Sequence, residues 1–127
     1  MSNKRVAIIQ SNYIPWKGYF HVIDSVDEFI LYDEVQYTKR DWRNRNQIKT
    51  VSGLQWLTIP VEVKGKFFQA INETLISDKS FATKHWTTIC HAYSRAKYFK
   101  DYKNIFEEIY LGLNEDLLSQ VNYRFIV

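Results

Sequence analysis

Apolar positions in the first third of the chain fall into two short continuous runs. Val6 to Ile9, within RVAIIQ, and Phe29 to Tyr32, within EFILY, are rich in branched and aromatic residues and read as buried strands. Between them Tyr19, Val22, Ile23 and Val26 recur at i, i+3, i+4 and i+7, one face of a short amphipathic helix. A polar turn, SNYIPWKG, with Pro15 and Gly18, separates the first strand from that helix. Strand, helix and strand within about thirty residues is the size of a βαβ unit, whose strands run parallel. Gln55 to Val63, with Ile48 to Val51 before it, predicts a hairpin about Ser52-Gly53-Leu54, and Pro60 favours an edge position. Two helical stripes follow. One runs over Phe81, Trp86, Ile89, Tyr93 and Ala96 after a start signal at Ser77 or Asp78; the other runs from Tyr102 to Leu117. The expected fold is α/β: a short, mainly parallel sheet begun by a βαβ unit, with an antiparallel pair and two C-terminal helices.

A chain of 127 residues can bury one core without staples, so residues 1–127 are expected to form a single domain. The only cysteine, Cys90, excludes an intramolecular disulfide and a CxxC zinc site, and points to a reducing, cytoplasmic compartment. The apolar run at the N-terminus is four residues long, too short for a signal-peptide core or a membrane span, so no membrane insertion is expected. After Leu117 neither Gly nor Pro stops the last stripe, and the chain ends on NYRFIV, as if more chain once followed. Helix faces left apolar by such a truncation would favour a homodimer.

Charge is uneven. The net charge is +3, but Thr38 to Lys49 carries Lys39, Arg40, Arg43, Arg45 and Lys49 against Asp41 alone, which leaves the rest of the chain slightly negative. One anionic site is a better reading of this than a broad basic surface. Trp42, Arg43, Asn44, Arg45 and Asn46 suit planar, multidentate recognition of phosphate or carboxylate with ring stacking; a solvated basic loop explains neither Trp42 nor the asparagines. At the turn after the first strand, Gln10, Asn12 and Lys17 offer donors and charge where α/β sheets bind ligands, although a plain turn needs Asn12 and Pro15 just as well. No GxxxxGK[ST] or GxGxxG is present. At the end of the second strand Asp33 suits a general base or a ribose contact, with Gln36 and Tyr37 just beyond it, or else a turn-capping carboxylate. His85 and His91 project about 120° apart on a helix, which excludes a shared metal, and His85 reads as a packing histidine. No metal site is expected, and no cofactor is indicated.

Three blocks, QSNYIPWKGYF, DEVQYTKRDWRNRNQIK and WLTIPV, with HW and AYSRAKYFKDY further on, resemble the WbqC-like family of bacteria, whose members occur with O-antigen and other surface-polysaccharide genes. Members generally run longer, so the chain corresponds to the N-terminal part of that fold. The resemblance implies a transferase of surface-polysaccharide assembly, with aminoacyl (glycine) transfer to a sugar suggested from gene context. It carries over to Gln10, Asn12, Tyr13, Trp16, Gln36, Tyr37, Trp42, Arg43, Asn44, Arg45 and Asn46 as ligand-binding positions and to Asp33 as the catalytic one. Pro15, Gly18 and Tyr19 also match; Ser11 and Asp41 depart from the family's commoner Pro and small residue. The expected ligand is a phosphate-bearing small molecule or nucleotide sugar, held between Gln10–Gly18 and Asp33–Asn46. The alternatives are an RNA-binding module, with tRNA as partner, and an inactive fragment. Few phosphate contacts are available to an RNA binder of this charge.

Overall fold

β1 (Val6–Ile9) and β2 (Glu28–Leu31) pair in parallel, Val6 opposite Glu28 and Ile9 opposite Leu31, and α1 (Lys17–Ser25) forms the crossover between them. The structure, a computed structural model, describes residues 3–39, 41–50, 52–66 and 68–126. Arg40 of the basic segment, Val51 of the hairpin and the terminal Val127 lie outside the described residues. β3 (Arg45–Thr50) and β4 (Gly53–Thr58) form a separate antiparallel pair with Arg45 opposite Thr58. A 3-10 turn at Ile71–Glu73 leads to α2 (Phe81–Tyr93), α3 (Phe99–Leu111) and α4 (Leu118–Ile126). The fold is mixed α/β, with a parallel pair, an antiparallel pair and C-terminal helices.

Several elements differ from their sequence reading. β1 and β2 are not buried strands: Val6, Ile8 and Ile30 are exposed, and burial alternates along both strands. A two-stranded sheet covered by one helix has one wet face, so a continuous apolar run half-exposes itself. The hairpin reaches back to Arg45, so the basic segment ends inside a strand. The stripe from Tyr102 to Leu117 is helical only in part, since residues 112–117 lie between α3 and α4. α3 stops at Leu111, where the Gly112 amide turns back to the Glu108 carbonyl. Beyond it the chain pairs elsewhere: the Ile76 amide donates to the Asp116 carbonyl, and the Leu118 amide to Thr74. Continuing the helix would leave those backbone groups unpaired, so the tertiary pairing wins.

The core lies between the hairpin and the helices. Tyr13, Leu57, Ile59, Ile71, Phe81, Trp86, Tyr110, Leu118 and Val121 form it. None of these residues comes from β1, α1 or β2. That unit is an outer layer, and its one buried apolar side chain, Tyr19, packs edge-on against Phe29 at 5.6 Å. Tyr102, Ile105 and Phe106 on α3 stay exposed, and Phe106 and Tyr102 line an apolar cleft of about 430 Å³ with Trp86, Tyr93 and Phe99. Among the described residues, no helix is long and apolar enough to cross a membrane.

Candidate functional site

The chain leaves β1 at Gln10 and crosses the molecule in a tight path. Ser11, Asn12, Tyr13 and Pro15 are all buried, and Ile14 sits at φ 46, left-handed backbone that a β-branched residue rarely adopts. This strain is held in place from the opposite wall. The Asn46 amide nitrogen donates to the carbonyls of Tyr13 (3.2 Å) and of Ile14, while its oxygen accepts from the Gln47 amide. The strained turn delivers Trp16 to the start of α1, where its indole lies across Gly18.

The second wall is Trp42 to Asn46. The Tyr13 amide donates to the Trp42 carbonyl at 3.1 Å. The Arg43 guanidinium donates to Asn12 Oδ1 and, at 3.4 Å, to Gln10 Oε1. Its side chain is 16% exposed, and Asp41 lies 3.9 Å away. Its two hydrogen-bond acceptors are neutral amide oxygens, and the Asp41 carboxylate stands beyond hydrogen-bond length, so the guanidinium keeps attraction for an anion. Between the walls opens a cleft of about 330 Å³ lined by Asn12, Pro15, Trp16, Trp42 and Asn46, at the small end of ligand-sized cavities. Trp42 backs onto Trp56 (ring centroids 5.5 Å), and the Arg45 guanidinium caps Trp56 at 4.1 Å.

Electrostatics agree with this crowding. The Trp42 amide, more than any other group, holds the Asp41 carboxyl below its ordinary range, helped by the Thr38 hydroxyl and by Arg43 and Arg45. Burial pushes the Tyr19 phenol up to about 12; Asp33 adds to the rise and Arg43 opposes it. The Tyr19 hydroxyl donates to the Gln10 carbonyl at 2.9 Å, which ties α1 to the turn.

The structure thus brings Gln10, Asn12, Trp16, Trp42, Arg43 and Asn46 together, with Arg45 behind them. The other candidates stand elsewhere. Asp33 is buried, with Oδ1 accepting from the Ser11 amide at 2.8 Å, and it lines a separate polar cleft with Glu34, Glu115 and Arg124. Gln36 and Tyr37 line a third cleft beside Val63 and Lys66. Tyr37 is part of the core, and burial raises its phenol pKa while Arg45 opposes that rise. Asn44 is buried and donates to the Ile59 carbonyl at 2.9 Å. Tyr13 is fully buried, with its hydroxyl 2.8 Å from His85 Nδ1 and 2.7 Å from the Tyr110 hydroxyl.

That buried group has one proton arrangement. His85 Nε2 lies 3.0 Å from the Thr58 carbonyl, which can only accept, so Nε2 carries the hydrogen. Nδ1 then accepts from Tyr13, and Tyr13 accepts from Tyr110. Burial lowers the His85 pKa to about 4, against a smaller opposing effect of Thr58, so the ring is neutral. His85 packs as its sequence position predicts, and it does so directly beneath the turn that carries the cleft.

Sequence reasoning missed Ser11, Trp56 and Asn122. Trp56 was recoverable, because it shares a strand face with Thr58 opposite Arg45. Asn122 carries no local signal. It is one of two side-chain amides, with Gln120, on a helix that periodicity does not separate from α3.

The chain is 54% identical over 123 residues to Rv1507c, an uncharacterised protein of Mycobacterium tuberculosis; the match covers 97% of this chain and 53% of that protein. The chain therefore spans about half the length of that relative. No solved structure matches it. The WbqC-like protein family matches residues 10–127, from the first cleft residue through α4, and the chain belongs to that family.

Proposed function

We propose that the cleft between the Gln10–Trp16 turn and the Trp42–Asn46 segment binds a phosphate-bearing small molecule, a nucleotide sugar in the simplest case. The chain then supplies the binding part of a transferase in bacterial surface-polysaccharide assembly. The observation that carries this reading is Arg43, held against Asn12 and Gln10 beside a tryptophan-walled cleft. Trp16 and Trp42 offer flat apolar faces to a ring, while the Asn12 amide nitrogen offers a donor to its polar edge and Asn46 holds the turn in place. Arg43 supplies charge where a phosphate would lie. In this reading Asp33 anchors the Ser11 amide and so shapes the turn.

Calorimetry with UDP-glucose, UMP, glucose 1-phosphate and coenzyme A tests it. Binding of at least one, weakened on the order of 10- to 100-fold by Arg43→Ala, is expected, since a hydrogen bond to a charged group contributes about 1.5–3 kcal/mol. Absence of heat with all four, or an Arg43→Ala protein that binds as well as the parent, would overturn it. Tight binding of single-stranded RNA in place of these ligands, with a steep salt dependence, would move the assignment to nucleic acid.

A further inference from the structure

Asn122 stands on α4, far from both walls in sequence, and is 0% exposed. Its Nδ2 donates to Ser11 Oγ at 3.0 Å and to the Arg43 carbonyl at 2.9 Å. Those two acceptors belong to opposite walls of the cleft. The Arg43 carbonyl can only accept, so the amide cannot be turned round. Its Oδ1 is buried without a hydrogen-bond partner in the structure. An unpaired buried acceptor is destabilising, so the position carries a polar cost that the two donated bonds offset. What the asparagine supplies is geometry: one amide nitrogen joins both walls.

Ser11 shows what that geometry is. Its amide donates to Asp33, its hydroxyl oxygen accepts from Asn122, and the residue is wholly enclosed. The turn is thereby fixed at its root to the segment that follows β2 and to α4. One bond further, Asn122 holds the backbone of Arg43, whose side chain crosses to Asn12. We infer that Asn122 is a positioning residue of the cleft: from the helical half, it sets the separation of the Ser11 turn from the Arg43 segment and so the placement of Trp16, Trp42 and the guanidinium. Its functional meaning rests on the ligand reading above; the placement itself does not.

The test uses the full chain and three variants. Asn122→Leu keeps the branching at a larger volume and removes the amide; Asn122→Asp keeps the shape and removes the donors; Ser11→Ala removes a single acceptor. The indole N–H resonances of Trp16 and Trp42 report the two walls without any ligand, and Trp86 in the core is the internal reference. Both Asn122 variants should displace the Trp16 and Trp42 signals and leave Trp86 in place. Ser11→Ala should displace Trp16 and spare Trp42. Asn122→Leu should also weaken UDP-glucose binding roughly tenfold or more at a temperature where it is fully folded, as misplaced binding groups do, while its melting temperature falls because Ser11 Oγ and the Arg43 carbonyl lose their donor. Replacing a residue with only a structural role would lower the melting temperature and leave the Trp16 and Trp42 signals, and the binding by folded protein, unchanged. Unmoved Trp16 and Trp42 signals in Asn122→Asp, or undiminished UDP-glucose binding by folded Asn122→Leu when the parent binds it, would overturn the proposal. Should Asn122→Leu fail to fold, an unmoved Trp16 signal in Ser11→Ala would overturn it alone. Displaced indoles in a protein whose parent binds no phosphate ester would leave the positioning role standing and sink the ligand reading.

Discussion

The Trp16 indole lies so close over Gly18 that a Cβ at position 18 would overlap the ring. Glycine is thus required in the first turn of α1 for the sake of a neighbour's side chain, not for its own backbone. On propensity alone Gly18→Ala should stabilise α1 by up to about 1 kcal/mol. Trp16 is 67% exposed, so displacing it sacrifices little packing. The expected outcome is a melting temperature that holds or rises, a change in Trp16 fluorescence, and a cleft without its outer wall. Fluorescence and thermal melts on the same sample check it, and unchanged emission would contradict the packing described.

Stability should fall in mild acid because of His85. Its folded pKa of about 4 lies below the ordinary 6.5, so the unfolded chain binds the extra proton first. The contribution is complete above pH 6.5 and is lost as pH falls towards 4. The slope is about 1.4 kcal/mol per pH unit and the total about 3 kcal/mol. Urea unfolding at pH 7 and pH 5 measures it. His85→Gln should flatten the pH dependence in that interval at the expense of overall stability.

Tyr110 and Phe106 sit on the same helical stripe and should behave oppositely. Tyr110 is 1% exposed, stacks on Trp86 at 5.8 Å and donates to Tyr13. Tyr110→Ala should cost about 3–5 kcal/mol, and Tyr110→Phe about 1–2 kcal/mol through the unpaired Tyr13 oxygen. Phe106 is 41% exposed, and its truncation should cost far less than that of a buried ring. Denaturant midpoints of the three variants decide the ranking.

Asn44 and Asn46 separate stability from the cleft. Asn44→Ala removes the bond to the Ile59 carbonyl inside the core and should lose about 1–3 kcal/mol, with Trp42 and Trp16 undisturbed. Asn46→Ala releases the strained Ile14 turn and should alter Trp16 fluorescence at least as much as it lowers the melting temperature. Thermal melts read beside tryptophan emission distinguish the pair.

Local pattern made the βαβ unit, the hairpin and α2 legible, because each depends on contacts within a few turns of chain. The end of α3 was not legible. A stripe from Tyr102 to Leu117 satisfies helical periodicity throughout, and only the pairing of the Leu75 and Ile76 segment with Leu117 and Asp116 interrupts it. Burial of β1 and β2 was misread for a similar reason: an apolar run states a preference for burial, not whether a second layer exists to provide it.

For the site, residue chemistry in the sequence determined that anion-binding and ring-stacking groups occur at Gln10–Trp16 and at Trp42–Asn46, since side-chain type alone decides what a group can donate, accept or stack against. Which of them share one cleft was settled only by tertiary structure. Asn44 turned inward to Ile59, Tyr13 sank onto His85 and Tyr110, and Asp33 was taken up by the Ser11 amide. Each of these groups met a buried polar partner that would otherwise have gone unsatisfied, and a buried unpaired group is costlier than an exposed one. That pressure acts between residues dozens of positions apart, as between Asn122 and Ser11, where no periodicity along the chain can record it.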